Sequence, residues 1–253
     1  SLPAQPTSLG VDPENEPIIA EIAKLRNKKS GAGGAILLLV VTAVIFLGAG
    51  SAEWTWEYAA MLLPILFLHE LGHFAAMKAF KYRDLKIFFL PLLGAAASGV
   101  HYNVAGWKKA IVSLMGPLPG IALAIILGGF AIASEHALLL DAAFLTLIIN
   151  GINLVPLHPL DGGWVMHAIL FSRHPVLSTG FRLLAGITFI GLFIGLNDRF
   201  LMFLGIFTLI GVPAAHKQAK IAAKIRDAGI PGVSEDSMTI PPPTANAIIN
   251  ELK

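Results

Sequence analysis

Ala35–Ser51 reads AILLLVVTAVIFLGAGS, an uncharged apolar run close to the length that crosses a bilayer. A run like this forces regular structure. In lipid every backbone N–H and C=O must be satisfied within the segment, so the chain there is helical. Composition extends the point to the whole chain. Apolar residues make up 55% of the 253, charged residues 13%, and mean hydropathy is +0.73, whereas soluble domains carry about 25% charged residues. The sequence therefore predicts an all-α polytopic membrane protein. A net charge of +2, with no basic cluster interleaved with aromatics, argues against a nucleic-acid partner. Cysteine is absent, which removes disulfides and thiolate metal sites.

About six transmembrane helices are expected. After Ala35–Ser51 a second span runs from about Trp54 to Phe80, with Pro64 as a kink point. Ala110–Ala133 is the third and Ala137 to about Val155 the fourth. After a broken segment with WVMHAILF as a short helix, Leu183–Leu196 and Phe200–Val212 are the fifth and sixth, both short. The stretch after the second span is not helix-like. Leu85–Leu90 is rich in large apolar residues, Pro91 interrupts it, Gly94 and Gly99 flank small residues, and Val100–Val104 reads as a return strand. A membrane-embedded β-hairpin is expected there, with protein covering its backbone. Residues 1–34 form a polar N-terminal segment with Ile18–Leu25 as an amphipathic helix and no signal-peptide core. Residues 217–253 form a solvated C-terminal tail.

Charge tests this topology. With both termini cytoplasmic and six alternating spans, only Arg199 of the 18 basic residues falls outside, while Glu53, Glu57, Glu135 and Asp198 occupy the outer loops. That is the bias of the positive-inside rule. Trp54, Trp56 and Tyr58 form an outer aromatic girdle, and Trp107 and Trp164 mark the inner region.

Within the second span lies LFLHELGHFAAM, residues 66–77. His69 and His73 are four apart and project from one helix face. Two imidazoles so spaced can bind a single Zn²⁺, and Glu70, beside the first, can reach water at the metal without ligating it. Such a pentapeptide also arises by chance and can be a packing detail. In a membrane span, however, three ionisable residues need a common reason, and a metal supplies one. A catalytic zinc takes three protein ligands and keeps one position open. The remaining intramembrane candidates are Asp161, His158 and His167. Asp161 follows two prolines and precedes two glycines in NLVPLHPLDGG, which would aim a carboxylate sideways. It reads equally well as the cap of a helix beginning near Gly162.

HELGH on one span and NLVPLHPLDGG two spans later resemble the site-2 protease family of intramembrane zinc metalloproteases (peptidase M50-like), and SLMGPLPG is similar to that family's Gly-Pro segment. The resemblance covers residues 55–170, a three-helix catalytic core within a transmembrane domain of 35–216. It implies one catalytic Zn²⁺ held by His69, His73 and Asp161, with Glu70 as the base. It implies that Asn153 binds substrate or steadies the oxyanion. It further implies a hairpin that pairs with substrate, so that Leu85, Ile87, Phe89, Gly94 and His101 become substrate-binding candidates. The activity implied is hydrolysis of peptide bonds within or near transmembrane segments, on a single-span, pre-cleaved membrane protein in the lipid bilayer of a bacterial or archaeal plasma membrane. Two features depart from the family pattern. Gly94 is followed by Ala95–Ala97 where a second glycine is common, and His158 stands at a position usually apolar, giving it a possible place next to the metal ligands.

The other polar residues have plainer readings. His167 packs, while His136, His174 and His216 sit at span ends. Asn150 bonds between helices. Two other functions fit some of the motifs: a non-proteolytic zinc-binding relative that keeps the fold, and a metal transporter. The full set of chemical residues disfavours the first, and the lack of repeated half-motifs disfavours the second.

Overall fold

A computed structural model describes residues 12–27, 31–53, 55–90, 94–101, 104–230 and 240–252. Trp54 of the expected girdle, Pro91, and the basic residues Lys28, Lys29 and Lys253 lie outside these. The chain is mostly helical. Helix α1 spans Glu16–Asn27, α2 Ala32–Glu53 and α3 Trp56–Ala79, with Pro64 inside a continuous helix. Strands β1 (Arg83–Leu90) and β2 (Gly94–Val100) follow, then α4 (Gly106–Leu114), α5 (Pro117–Ala133) and α6 (Ala137–Asn153). Next come α7 (Asp161–Met166), a π-helical turn His167–Phe171, α8 (Pro175–Leu196), α9 (Arg199–Ile210), α10 (Val212–Asp227) and α11 (Pro242–Leu252). Among the described residues, five helical stretches are long and apolar enough to cross a membrane: 33–50, 56–79, 106–133, 175–196 and 199–227. Helix α6 is apolar but shorter, at 17 residues.

The third span is two helices, α4 and α5, joined at Met115–Gly116. The join has a local cause. Pro117 and Pro119 lack the N–H that would continue the hydrogen-bond ladder, so the last carbonyls of α4 lose their helical partners. Helix α5 lies along α6, and both border α3.

Several edges differ from the sequence expectation. The fifth span begins at Pro175, eight residues before Leu183, because its polar first turns find partners inside the protein. Ser178 bonds His167 at 2.9 Å and Thr179 bonds His216 at 2.7 Å. The sixth span breaks at Gly211 and resumes through Asp227. The C-terminal tail is not simply solvated. Helix α11 buries Thr244, Ala245 and Ile249. Asn15, wholly buried, donates to Asn250 at 3.1 Å and to Asn246 at 3.4 Å.

The hairpin exists, but its return strand is Gly94–Val100 rather than Val100–Val104. Register pairs Ile87 with Ala97, Phe88 with Ala96 and Phe89 with Ala95. Small residues face large ones across the ladder, so the alanine run that looks like loop in sequence is what lets two strands fit between helices. Both strands have helical neighbours. The Phe89 N–H donates to the Thr42 hydroxyl of α2 at 3.0 Å, and the Phe46 and Phe89 rings lie 5.5 Å apart. Strand β2 runs beside α3.

Candidate metal centre

The three residues of the pentapeptide are buried, at 4% exposure for His69, 7% for Glu70 and 8% for His73, so they are withdrawn from lipid as well as water. Helix α3 brings the two imidazoles to one face, ring centroids 4.9 Å apart. Asp161, the first residue of α7, meets them there. Its Oδ2 lies 3.0 Å from His69 Nε2 and 3.3 Å from His73 Nε2, and the two Nε2 atoms are 3.1 Å apart. Among the described residues this is the one cluster with metal-ligand geometry.

Two further contacts decide what those atoms can do. Asn150 of α6 donates its Nδ2 to the Thr146 carbonyl at 2.7 Å, which turns Oδ1 toward His69 Nδ1 at 2.8 Å. Nδ1 must therefore carry the proton. His73 Nδ1 likewise faces the Val112 carbonyl at 2.7 Å and donates to it. Val112 is in the last turn of α4, whose carbonyls lie beyond the regular helical ladder. Neutral imidazoles held in this way present Nε2 lone pairs to a carboxylate oxygen. Three such atoms converging repel one another unless a proton or a metal cation sits among them. Their separations of 3.0 to 3.3 Å match the ~3.3 Å expected between ligands of a tetrahedral ion with bonds of ~2.0–2.1 Å. The donor set fits a divalent metal.

Close packing keeps the triad in register. Gly116 lies against the His73 imidazole and Gly120 against the Asn150 amide, each so near that a Cβ would collide. One turn of α5 thus presses on both histidine supports. The glycines after Asp161 act similarly: Gly162 abuts the Leu154 carbonyl, and Gly163 the Leu157 carbonyl, so α7 folds back on the loop before it.

The structure brings together His69, Glu70, His73 and Asp161, with the Ala97 N–H of β2 facing the Glu70 carboxylate. It leaves the other candidates apart from this cluster. Asn153 sits one turn beyond Asn150, its Nδ2 donating to the Ile149 carbonyl at 3.0 Å. His158 packs on Trp164 at 4.7 Å, away from the ligand atoms, and His167 bonds Ser178. On the hairpin, Ile87 and Phe89 are buried and the Phe89 N–H is already bonded to α2, so that edge of β1 is covered as the protein stands. Leu85 and Gly94 are half-buried, and His101 packs on Tyr82 at 4.9 Å. Sequence reasoning gave Asn150 only an interhelical bond and did not find Val112, whose contribution is a backbone carbonyl. The detectable signals were an Asn three residues before Asn153 in an apolar helix, and the Gly116-x-x-x-Gly120 spacing.

Fold and site together define a class: a helical membrane protein whose spans converge on a buried His-His-Asp cluster able to hold a metal, beside a glutamate. Residues 57–136 match the model of peptidase family M50. The chain is 30% identical over 149 residues to a zinc metalloprotease of Methanocaldococcus jannaschii, covering 57% of this chain and 43% of that protein. It is 34% identical over 125 residues to stage IV sporulation protein FB of Bacillus subtilis, covering 48% and 43% respectively. The match thus spans less than half the length of either relative. A solved structure titled site-2 protease from Methanocaldococcus jannaschii is similar with a TM-score of 0.49 and 20% identity, over 71% of this chain and 88% of that one.

Proposed function

We propose that this protein is an intramembrane zinc metalloprotease that hydrolyses peptide bonds within or near transmembrane segments of other membrane proteins. The observation that carries the proposal is the convergence of His69 Nε2, His73 Nε2 and Asp161 Oδ2, with an additional buried carboxylate, Glu70, on the residue next to His69. A structural metal site needs no ionisable group that stands beside its ligands without binding the metal; a hydrolytic one needs a base. One Zn²⁺ would be held by His69, His73 and Asp161, the metal that the archaeal relative's name specifies. When bound, zinc supplies Lewis acidity to a carbonyl and lowers the pKa of a water it binds to roughly 7.

The chain's own residues do the rest. Glu70 takes a proton from the attacking water and delivers it to the leaving amide nitrogen. The Ala97 N–H holds its carboxylate at the edge of β2. Asn153 serves as a hydrogen-bond donor to the carbonyl oxygen once substrate competes for its amide. The substrate segment must unwind, because a helix hides its carbonyls, and a strand edge satisfies the freed backbone. The β2 edge lies nearest Glu70, whereas β1, with Leu85, Ile87 and Phe89, becomes available when α2 withdraws. Gly94 and His101 flank the ends of β2. The positive charge distribution supports an orientation with both termini on the cytoplasmic side.

The test is direct. Purified protein is assayed for zinc content and for cleavage of a reporter carrying one transmembrane helix. The parent is expected to cleave, and Glu70→Gln to retain its zinc while losing about 10²–10⁴-fold in rate. Equal cleavage by Glu70→Gln overturns the proposal.

A further inference from the structure

Arg182 stands two turns into α8, about 10 Å along the helix from Pro175. A cation at that depth is costly and calls for a partner. Among the described residues Arg182 has none: it makes no ion pair, and its Nε is buried without a hydrogen-bond partner. Nor does the side chain simply reach for water. The guanidinium is turned onto the Trp164 ring, 5.1 Å from its centroid.

The surroundings add imidazoles and positive charge but, among the groups named here, no carboxylate. His158, 1% exposed, contacts the same indole edge-on at 4.7 Å, and neither ring nitrogen has a partner. His167 lies 5.6 Å from His158, with Ser178 on its Nε2 and its Nδ1 uncommitted. Lys109 lies near enough for its charge to act on His167. Arg182 acts on both histidines, and no carboxylate is among the groups acting on either. This corner can donate hydrogen bonds but has no acceptor of matching charge.

We propose that Arg182 and His167, backed by His158, Trp164 and Lys109, form a site for the phosphate group of an anionic membrane lipid. The missing partner is an oxyanion with several acceptors, which a phosphate ester supplies to a guanidinium fork. A lipid headgroup is favoured over a peptide carboxylate by the rim. Trp164 is exposed, as are Ile169, Leu170, Val176 and Leu177 around the start of α8, an apolar collar suited to acyl chains. An indole at such a border belongs to the headgroup level. The site lies at the membrane face marked by Lys108, Lys109 and Arg173. Trp164 is three residues after Asp161 on α7, so an occupant would also brace the helix that carries the third metal ligand.

The test needs no catalytic assay and therefore stands or falls apart from the proposed protease activity. Full-length protein is titrated in detergent with dioleoyl phosphatidylglycerol or dioleoyl phosphatidylcholine, and retained lipid is counted by native mass spectrometry. The parent is expected to retain one phosphatidylglycerol in preference to phosphatidylcholine. Arg182→Gln should weaken that retention about fivefold to tenfold, while Arg182→Lys restores most of it. Zinc content, unchanged in Arg182→Gln, reports that the fold is intact. If Arg182→Gln does not purify folded, His167→Gln carries the test and is expected to lower the preference. Equal retention of the two lipids, or an unchanged preference in the substituted protein, overturns the proposal. So does displacement of the lipid by equimolar inorganic phosphate, which assigns the site to the free ion, or by an acidic peptide, which assigns it to a carboxylate.

Discussion

Asn150 determines which nitrogen of His69 is free. Its amide cannot turn without giving up the Thr146 carbonyl, so Oδ1 stays on Nδ1 and Nε2 stays bare. Metal-binding histidines are tuned by such outer partners, whose loss weakens metal affinity by about 10–100-fold. Asn150→Ala is therefore expected to lose zinc at chelator concentrations that the parent tolerates, measurable by competition with a fluorescent chelator; unchanged affinity would exclude the orienting role. Gly116→Ala acts from the other side. Its methyl must displace the His73 ring, at an overpacking cost of about 1–3 kcal/mol. The expected result is loss of both zinc and thermal stability, with Gly116→Ser no better. His69 and His73 were legible because spacing alone puts them on one face and Glu70 because it adjoins them in an apolar span, whereas Asp161 stood between two readings until the resemblance singled it out. Asn150 was legible only as a polar residue in oil, since nothing in the sequence says which side chain it meets. Val112 was not legible at all, because a carbonyl has no residue signature.

The hairpin, at the scale of elements, is held on both sides. Helix α2 covers β1 through Thr42, whose hydroxyl accepts from Phe89 while donating to the Leu38 carbonyl at 2.7 Å, and α3 flanks β2. Thr42→Val keeps the shape and removes the acceptor. The Phe89 amide should then lose protection, by about fivefold to tenfold in hydrogen exchange for a bond worth ~1 kcal/mol. An unaltered exchange rate would mean that α2 does not secure this edge. The same comparison shows why the return strand was misplaced in sequence. Strand signals are large β-branched and aromatic residues, and Gly94–Val100 has mostly glycine, alanine and serine. What selects it is the room needed between β1 and α3, a tertiary requirement. The start of α8 failed for a related reason. Ser178, Thr179 and Arg182 look unsuited to a span until His167, His216 and Trp164 are seen to receive them.

At the scale of the whole molecule, an even number of membrane crossings is expected. Helices α1 and α11 meet through Asn15, Asn246 and Asn250, and Lys224 of α10 bonds Glu251 at 2.6 Å, so both end segments lie on one face. Five helical stretches have membrane length, and five crossings would separate those ends. The shorter α6 is therefore the expected sixth crossing. At 17 residues it spans about 25 Å, and its pairing with α5 shields much of one side. A helix this short places its last turns, with Asn150 and Asn153, near one membrane surface, where water has a short path to the metal centre. The absence of cysteine makes the count testable without background. Single cysteines replace the exposed Glu21, Glu135 and Glu251 in sealed vesicles, and a membrane-impermeant maleimide is added from one side. Glu21→Cys and Glu251→Cys should label together, and Glu135→Cys, in the turn between α5 and α6, only from the opposite side. If Glu135→Cys labels with the terminal pair, the α5–α6 hairpin does not cross as inferred, and the positive-inside assignment of both ends loses its basis.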